Sequence, residues 1–319
     1  MKASILIPAY NAETFLEVTL KGCVFQGVEA IKEIIVIDDH SEDNTIEVAT
    51  SFAQAYPQFN FIIERNPSKG ACSARNYAFT RASGEAIQWL DADDILGEGK
   101  LQKQLHLLNT HRNCLIASKW RRFSVDLGNL YPEEKGNWSE VPNSSTPLDW
   151  LSSERMMIPA GWLGTRALFE KTGPWDESLL INQDGEYFTR AISAAEGVLF
   201  EPESRVYYRS GVSGSVSHFK PEKAPSLFKS YESFERVALS IASQKEVGVL
   251  ISNKYQDFIY RVYPLVPELR KKAQEKIRSY GEPTCPNDLA ESRLAKTICK
   301  LFGWKALVQM RILKSRIIG

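Results

Sequence analysis

Three carboxylates stand within four residues of one another in this chain. Asp91, Asp93 and Asp94 directly follow the apolar run Ala86–Leu90. Carboxylates this close repel one another, and a bound cation is the simplest compensation. Magnesium and manganese prefer carboxylate and phosphate oxygens and need few protein ligands. The pattern therefore predicts a divalent-cation site, with a solvated acidic turn that caps a helix as the alternative.

Polar residues also follow two earlier apolar runs. Tyr10 and Asn11 come after residues 3–8, and Asp39 comes after residues 33–37. An aromatic ring can stack on a nucleobase, and an ionised aspartate can accept a hydrogen bond from a base N–H. The alternatives are a packed tyrosine and an ordinary turn before a helix.

Three further charged residues are candidates for chemistry. Arg75 lies on the first turns of a helix that Gly70 opens, where it could reach a phosphate or fix one of the Asp clusters, the alternative being a surface salt bridge. Asp184 precedes an amphipathic helix and would suit a general base, although a helix N-terminus favours the anion and so a low pKa, and a helix cap is the alternative. Arg209 enters a Gly/Ser-rich loop and could meet a diphosphate. The orders of residues that mark a Walker A loop, a Ser/His/Asp triad or an HExxH zinc site are absent.

The elements that would position these residues alternate between strands and helices. This alternation predicts a doubly wound α/β sheet, in which ligands bind beyond the carboxyl ends of the strands. Residues 118–153 are predicted to be a loop-rich insertion, and the chain after Pro221 is predicted to be helical. The predicted strands are 3–8, 33–37, 61–63 and 86–90. The predicted helices are 12–25, one capped by Ser41 or Asp43 that runs to about residue 56, 70–81, 99–111, and one that follows residues 183–186 and ends near residue 195.

Composition narrows the class of protein. The 319 residues carry a net charge of zero, which argues against nucleic acid as a partner. Apolar residues make up 43% of the chain, enough for a packed core. The five cysteines show no CxxC spacing, which argues against a disulfide framework and predicts a cytoplasmic location. The apolar run at the N-terminus is too short for a signal peptide, and we expect no transmembrane helix.

The C-terminal segment differs from the rest of the chain. From Ser292 onward there are seven Lys and Arg residues and no Asp or Glu. Apolar residues, including Phe302 and Trp304, are interleaved with the basic ones through residues 293–318. This pattern predicts a basic amphipathic helix. Such a helix could make peripheral contact with the inner face of the cytoplasmic membrane, or its apolar side could pack on the catalytic domain.

Taken together, the ordered motifs resemble the inverting, non-processive family 2 glycosyltransferases of the GT-A fold. The resemblance is close over roughly residues 3–115 and looser as far as Arg209. It implies an α/β fold with a mostly parallel, Rossmann-like sheet flanked by helices. It also implies a catalytic domain at 1–220 and a helical extension at 221–319. Two departures are His40, where glycine is common, and the absence of the QxxRW motif of processive synthases.

The resemblance also implies a role for each candidate residue. A nucleotide-sugar donor, expected to be a UDP-sugar, would lie against Pro8, Tyr10, Asn11, Asp39, Arg75, Asp91 and Arg209. Manganese or magnesium would be held by Asp93, with Asp91 and Asp94 as rivals. Asp184 would be the catalytic base that activates a saccharide or lipid-linked acceptor in cell-envelope, exopolysaccharide or lipopolysaccharide synthesis.

The sequence is also compatible with two other functions and with a homodimer. A sugar nucleotidyltransferase could share the sheet and the acidic site, but it would need a Gly-rich triphosphate loop after the first strand, which Pro8–Asn11 is not. A non-catalytic nucleotide-sugar-binding module would bind the donor without transferring the sugar, and Asp184 would be dispensable. A homodimer is compatible with the sequence.

Overall fold

The first compact unit, Met1–Val216, is built on one mixed β-sheet. The computed structural model of the chain describes residues 1–124, 127–128, 130–131, 138–211, 219–284 and 293–318. Within these residues the strands are β1 (Ala3–Ala9), β2 (Ile31–Asp38), β3 (Phe61–Arg65), β4 (Ala86–Trp89), β5 (Ile95–Leu96), β6 (Leu115–Phe123), β7 (Ser144–Ser145), β8 (Trp162–Thr165) and β9 (Val198–Arg209).

The strand order is β3-β2-β1-β4-β8-β6-β9-β5, with β7 pairing with β9. The four strands β3, β2, β1 and β4 are parallel neighbours, as the sequence predicts. Beyond β4 the sheet is mixed, since β8 runs antiparallel to both β4 and β6, and β6 pairs in parallel with β9. The predicted α/β fold is therefore confirmed, with its parallel part concentrated in the first half of the unit.

Helices cover the sheet, because its central strands are apolar on both faces. Every residue of β4 is buried, and β2 is buried except at Lys32. This is the burial expected of parallel strands that have helices on both sides. The helices of this unit are α1 (Leu16–Val24), α2 (Thr45–Ala55), α3 (Ala71–Arg81), α4 (Lys100–Thr110), α5 (Pro147–Ser152), α6 (Arg166–Thr172) and α7 (Gln183–Ala194).

The predicted loop-rich insertion at 118–153 is wrong in its first part. Strand β6 continues to Phe123 and pairs with β9 over most of its length. The charged residues Lys119, Arg121 and Arg122 interrupt the apolar pattern from which a strand would be predicted. Trp120 and Phe123 are nevertheless buried, so β6 contributes to the core.

The second unit, Ser217–Gly319, is helical in the part that the structure describes, as the sequence predicts. The sequence places the domain boundary at 220. Phe228, Tyr255 and Phe258 are buried in this unit and pack ring against ring. No helix among the described residues is both long enough and apolar enough to cross a membrane. The helices are α8 (Ala224–Ile241), α9 (Gln244–Val262), α10 (Pro267–Tyr280) and α11 (Arg293–Ile318).

Candidate active site

The carboxyl ends of three adjacent parallel strands bring the candidate residues together. Strand β1 lies between β2 and β4, with Ala9 opposite Asp38. The chain leaves these strands at Tyr10, Asp39 and the acidic loop, which we define as residues 91–94. Because parallel strands end at one edge of a sheet, the polar residues that follow them face one crevice.

The first strand end presents an aromatic ring to solvent. Tyr10 is 55% exposed, although a tyrosine usually packs most of its ring. Asn11 has a positive φ of 47° and joins two loops. Its N–H donates to Ser41 Oγ over 2.9 Å, and its Oδ1 accepts from the N–H of Glu42 over 2.9 Å. Asn11 therefore shapes the turn that leaves Tyr10 exposed. Pro8 lies within β1 and is partly exposed.

The second strand end holds a buried carboxylate in a fixed position. Asp39 Oδ1 accepts hydrogen bonds from Asn66 Nδ2 and from the N–H of Gly70, both over 2.8 Å. Gly70 precedes α3 with φ 116°, a conformation that favours glycine. His40 also lies in the left-handed region, with φ 64°, which explains why glycine suits this position. The Asp39 carboxylate is thus oriented in advance of any ligand.

The acidic loop assigns different partners to its three carboxylates. Arg75 Nη2 donates to Asp91 Oδ1 over 2.7 Å. Asp94 is fully buried, and its Oδ1 accepts from the N–H of Arg209 over 3.0 Å. Asp93 is partly exposed, and the hydrogen bond described for its carboxylate comes from its own N–H. Asp93 is therefore the member of the loop whose carboxylate is left for a ligand.

The electrostatics of the acidic loop favour a positive ion. Burial, and then the charge of Asp91, raises the pKa of Asp93 to about 6. Burial, and then the charges of Asp93 and Asp91, also raises the pKa of Asp94. In addition, Asp94 Oδ2 is buried without a hydrogen-bond partner among the described residues.

The residues fit a cation that shares its coordination with a phosphate-bearing ligand. The described residues include no group of three or more His, Cys, Asp or Glu side chains that could hold a metal by themselves. Magnesium commonly takes only one or two protein carboxylates and completes its shell with phosphate oxygens and water. Asp93, with Asp91 nearby, matches that smaller set of ligands.

Arg75 links the acidic loop to an aromatic residue on another segment. Its guanidinium lies 4.6 Å from the centre of the Trp175 ring while it pairs with Asp91. Burial alone would lower the pKa of Arg75, but the carboxylates of Asp91 and Asp184, together with Cys72, reverse the effect and raise it. These contacts describe a buried arginine that fixes a carboxylate of the acidic loop, which is one of the roles left open by the sequence.

We expect Arg75→Ala to lower the free energy of unfolding by about 2 kcal/mol, because it removes a buried stacked cation and leaves Asp91 without its partner. Arg81→Ala on the same helix is the matched control. Arg81 pairs with Glu64 over 2.7 Å but its side chain is 46% exposed, so Arg81→Ala should cost clearly less stability than Arg75→Ala. Urea unfolding measures both. Equal losses would show that the Arg75 pair contributes no more than a surface pair.

Asp184 lies in the first turn of α7, whereas the sequence predicts that it precedes the helix. Its position at a helix start predicts a low pKa. Burial instead raises the pKa of Asp184, Arg75 acts against this effect, and Asp91 adds to it. A carboxylate with a raised pKa is a better proton acceptor for catalysis than one held strongly as the anion.

An aromatic cluster that the sequence does not predict supports this helix. Trp175 stacks on Tyr187 with ring centroids 4.0 Å apart and planes 4° apart. Trp89, just before the acidic loop, meets both rings edge-on at 5.3 and 5.6 Å. The sequence offers one hint of this cluster. Tyr187 stands three residues after Asp184 and therefore lies on the same face of the helix as the candidate base. The cluster connects the base of the acidic loop to α7.

Arg209 is brought to the acidic loop but is turned toward its main chain. Its guanidinium lies 4.6 Å from the centre of the Phe15 ring and 4.3 Å from that of Phe123. Nε donates to the carbonyl of Asp93 over 3.1 Å, and Nη1 donates to the carbonyl of Ser124 over 2.9 Å. These contacts position the loop, and the contact of Arg209 with a diphosphate stays a prediction.

Tyr208 is a further residue of this region that the sequence does not single out as a site. It is partly buried at the end of β9. Burial is the largest cause that raises its pKa to about 12, and the charges of Asp94, Asp91, Asp93 and Asp184 all add to the shift. Because all four carboxylates raise the pKa of one phenol, they lie in one region of the molecule.

Comparison with known protein families and structures gives the same assignment for the first unit. The model of the family described as glycosyl transferase family 2 matches residues 4–173. The minor teichoic acid biosynthesis protein GgaB of Bacillus subtilis is 34% identical over 112 residues, which make up 34% of this chain and 12% of that protein. The GalNAc(5)-diNAcBac-PP-undecaprenol beta-1,3-glucosyltransferase of Campylobacter jejuni is 28% identical over 158 residues, or 48% of each chain.

This chain thus spans half or less of the length of either relative. The crystal structure of S. aureus TarS 1-349 in complex with UDP-GlcNAc superposes with a TM-score of 0.67 at 16% identity. The match covers 88% of this chain and 80% of that chain. At this identity the likeness shows the fold, which is the GT-A fold predicted from the sequence.

Proposed function

This chain belongs to glycosyl transferase family 2, and we propose that it moves a sugar from a UDP-sugar to a hydroxyl group of an acceptor. One observation carries the proposal. The ends of three adjacent strands present Tyr10, Asp39 and the acidic loop at one edge of the sheet, in electrostatic reach of Asp184. A donor with a base, a diphosphate and a sugar needs recognition groups of these types in one crevice.

The nucleoside part of the donor would bind at the first two strand ends. The exposed ring of Tyr10 can stack on the base, and Pro8 lies on the same strand. The Asp39 carboxylate is held by Asn66 and Gly70 and can accept a hydrogen bond from a base N–H. The TarS crystal structure is a complex with UDP-GlcNAc, which supports a UDP-sugar as the first donor to test.

We propose that manganese or magnesium binds at the acidic loop when the donor is present. Asp93 would hold the ion, with Asp91 as its neighbour, while Asp94 stays in its hydrogen bond with the N–H of Arg209. Such an ion neutralises the negative charge that develops on a departing diphosphate. The guanidinium of Arg209 would keep the loop in place through the carbonyl of Asp93.

Asp184 would act as the catalytic base. Its carboxylate takes the proton from the acceptor hydroxyl, and the hydroxyl oxygen forms a bond to the anomeric carbon. The bond from that carbon to the diphosphate oxygen breaks in the same displacement, and UDP leaves with the bonding electron pair. A single displacement inverts the anomeric configuration.

The names of two relatives support a class of acceptor. GgaB is named for the biosynthesis of a minor teichoic acid, and the C. jejuni glucosyltransferase is named for an undecaprenol-linked glycan. We therefore propose a saccharide or lipid-linked acceptor in the synthesis of a cell-envelope polysaccharide. The basic α11 supports an acceptor that is reached at a membrane surface.

A panel of UDP- and GDP-sugars, each incubated with manganese and the full chain, tests the donor. Glycosyltransferases without an acceptor commonly hydrolyse their donor slowly, so we expect release of UDP from at least one UDP-sugar. Chelation of the metal should abolish that release. If the chain binds a UDP-sugar but releases no UDP, either alone or when saccharide acceptors are added, it is a non-catalytic binding module.

A further inference from the structure

The last helix of the second unit is anchored on one side. It is interrupted at Gly303, whose φ of 76° is not helical. Beside this break, Trp304 packs edge-on against Tyr260 and Tyr263, with ring centroids 4.8 and 5.1 Å apart. Leu307, one turn further on, is only 5% exposed. The helix is therefore held on the second unit by aromatic and aliphatic contacts.

The residues before the break present apolar side chains to solvent. Leu301 is 67% exposed and Phe302 is 68% exposed. Met310, in the second part of the helix, is 48% exposed. Single exposed apolar residues are common on protein surfaces. Two adjacent large ones, at a point where the backbone leaves the helix, form a small projecting surface, which we define as the Leu301–Phe302 tip.

The charge around the tip indicates what covers it. Every charged residue from Ser292 to the end of the chain is basic, seven in all. Lys305 is exposed and lies just beyond the break. A partner that complements this segment must offer negative charge and an apolar phase within a few ångströms of each other. The headgroup and acyl regions of an anionic bilayer supply both.

We propose that the Leu301–Phe302 tip inserts into the surface of an anionic membrane, and that Lys305 and the net positive charge of residues 293–318 attract this segment to the headgroups. The contacts of Trp304 and Leu307 would hold the tip rigidly to the second unit. One helix then has a side that packs on the second unit and a side that faces lipid. The inference rests on the proposed function in one respect, because a lipid-linked acceptor would be presented at the same surface.

Co-sedimentation of the full chain with vesicles tests the inference. We expect binding to vesicles of phosphatidylglycerol and phosphatidylcholine, and little binding to phosphatidylcholine alone. The double variant L301S/F302S should bind at least about tenfold more weakly, because it removes the inserting apolar area. Lys305→Ala should weaken binding by about fivefold, the value of one basic residue near an anionic surface. High salt should weaken binding by the wild-type chain.

The double variant L239S/V249S is the matched control. Leu239 and Val249 are 39% and 43% exposed on α8 and α9 of the same unit, so their loss should leave vesicle binding unchanged. Equal binding by the tip variant and the wild type, or no preference for the anionic vesicles, would overturn the inference. A tip variant that loses only self-association would place a second copy there and would overturn it too. Vesicle binding needs no donor, so donor hydrolysis is measured in parallel. Loss of vesicle binding with hydrolysis intact overturns only the membrane inference, whereas absence of hydrolysis overturns only the proposed function.

Discussion

Asp184→Asn should reduce sugar transfer by at least about 100-fold while it leaves donor binding nearly unchanged, because a positioned general base commonly contributes about 10²–10⁴-fold. The amide occupies the same volume as the carboxylate but cannot accept the proton of the acceptor hydroxyl. Initial rates of transfer at saturating donor give the loss, and calorimetric titration with the UDP-sugar gives the affinity.

Glu186→Gln is the control for Asp184→Asn on the same helical turn. Glu186 forms two hydrogen bonds with Arg190, each over 2.8 Å. This pair lies within α7 and the amide keeps the shape of the carboxylate, so transfer per folded molecule should stay within about threefold of the wild type. Unchanged turnover in Asp184→Asn would remove Asp184 from the role of base. An equal loss in both variants would indicate damage to α7 instead.

Asp93→Ala should lower transfer by at least about 100-fold, or about 3 kcal/mol, and should also abolish the effect of manganese on donor affinity. The reason is that Asp91 is held by Arg75 and Asp94 by the N–H of Arg209, which leaves Asp93 to take the ion. Titration of the donor with and without manganese measures this coupling.

Asp184→Asn serves as the comparison for Asp93→Ala in the same titration. Asp184→Asn should keep the full effect of manganese on donor binding, since the base acts on the acceptor. If Asp93→Ala keeps that effect as well, the ion does not bind through Asp93. Loss of the effect in Asp91→Ala alone would reassign the ion to Asp91.

The first four strands were predictable because each contains a mostly apolar run that a polar turn follows. Strand β4, for example, differs by one residue from the predicted 86–90. The position of the polar residues at the carboxyl ends of the strands then followed from a general rule for parallel sheets. Strand β6 escaped prediction because Lys119, Arg121 and Arg122 interrupt its pattern and its burial depends on pairing with β9, which lies far along the chain.

The residue types of the candidate site were predictable, but the partner and the role of each residue were not. The sequence places three carboxylates in one loop, yet their different partners come from α3 and β9, which no local pattern connects. The same limit explains Arg209, whose charge suggests a diphosphate contact and whose aromatic neighbours, Phe15 and Phe123, are distant in sequence. The pKa of Asp184 could not be predicted because helix position is visible in a sequence and burial is not.

The stereochemistry of donor cleavage tests the central claim most directly. In a single displacement, water or an acceptor attacks the anomeric carbon from the side opposite the diphosphate. Time-resolved proton NMR of a UDP-α-sugar incubated with manganese and the full chain identifies the anomer formed first. Our account predicts the β-anomer, at a rate that falls with Asp184→Asn. The account would be contradicted if the α-anomer formed first, or if Asp184→Asn released UDP as fast as the wild type.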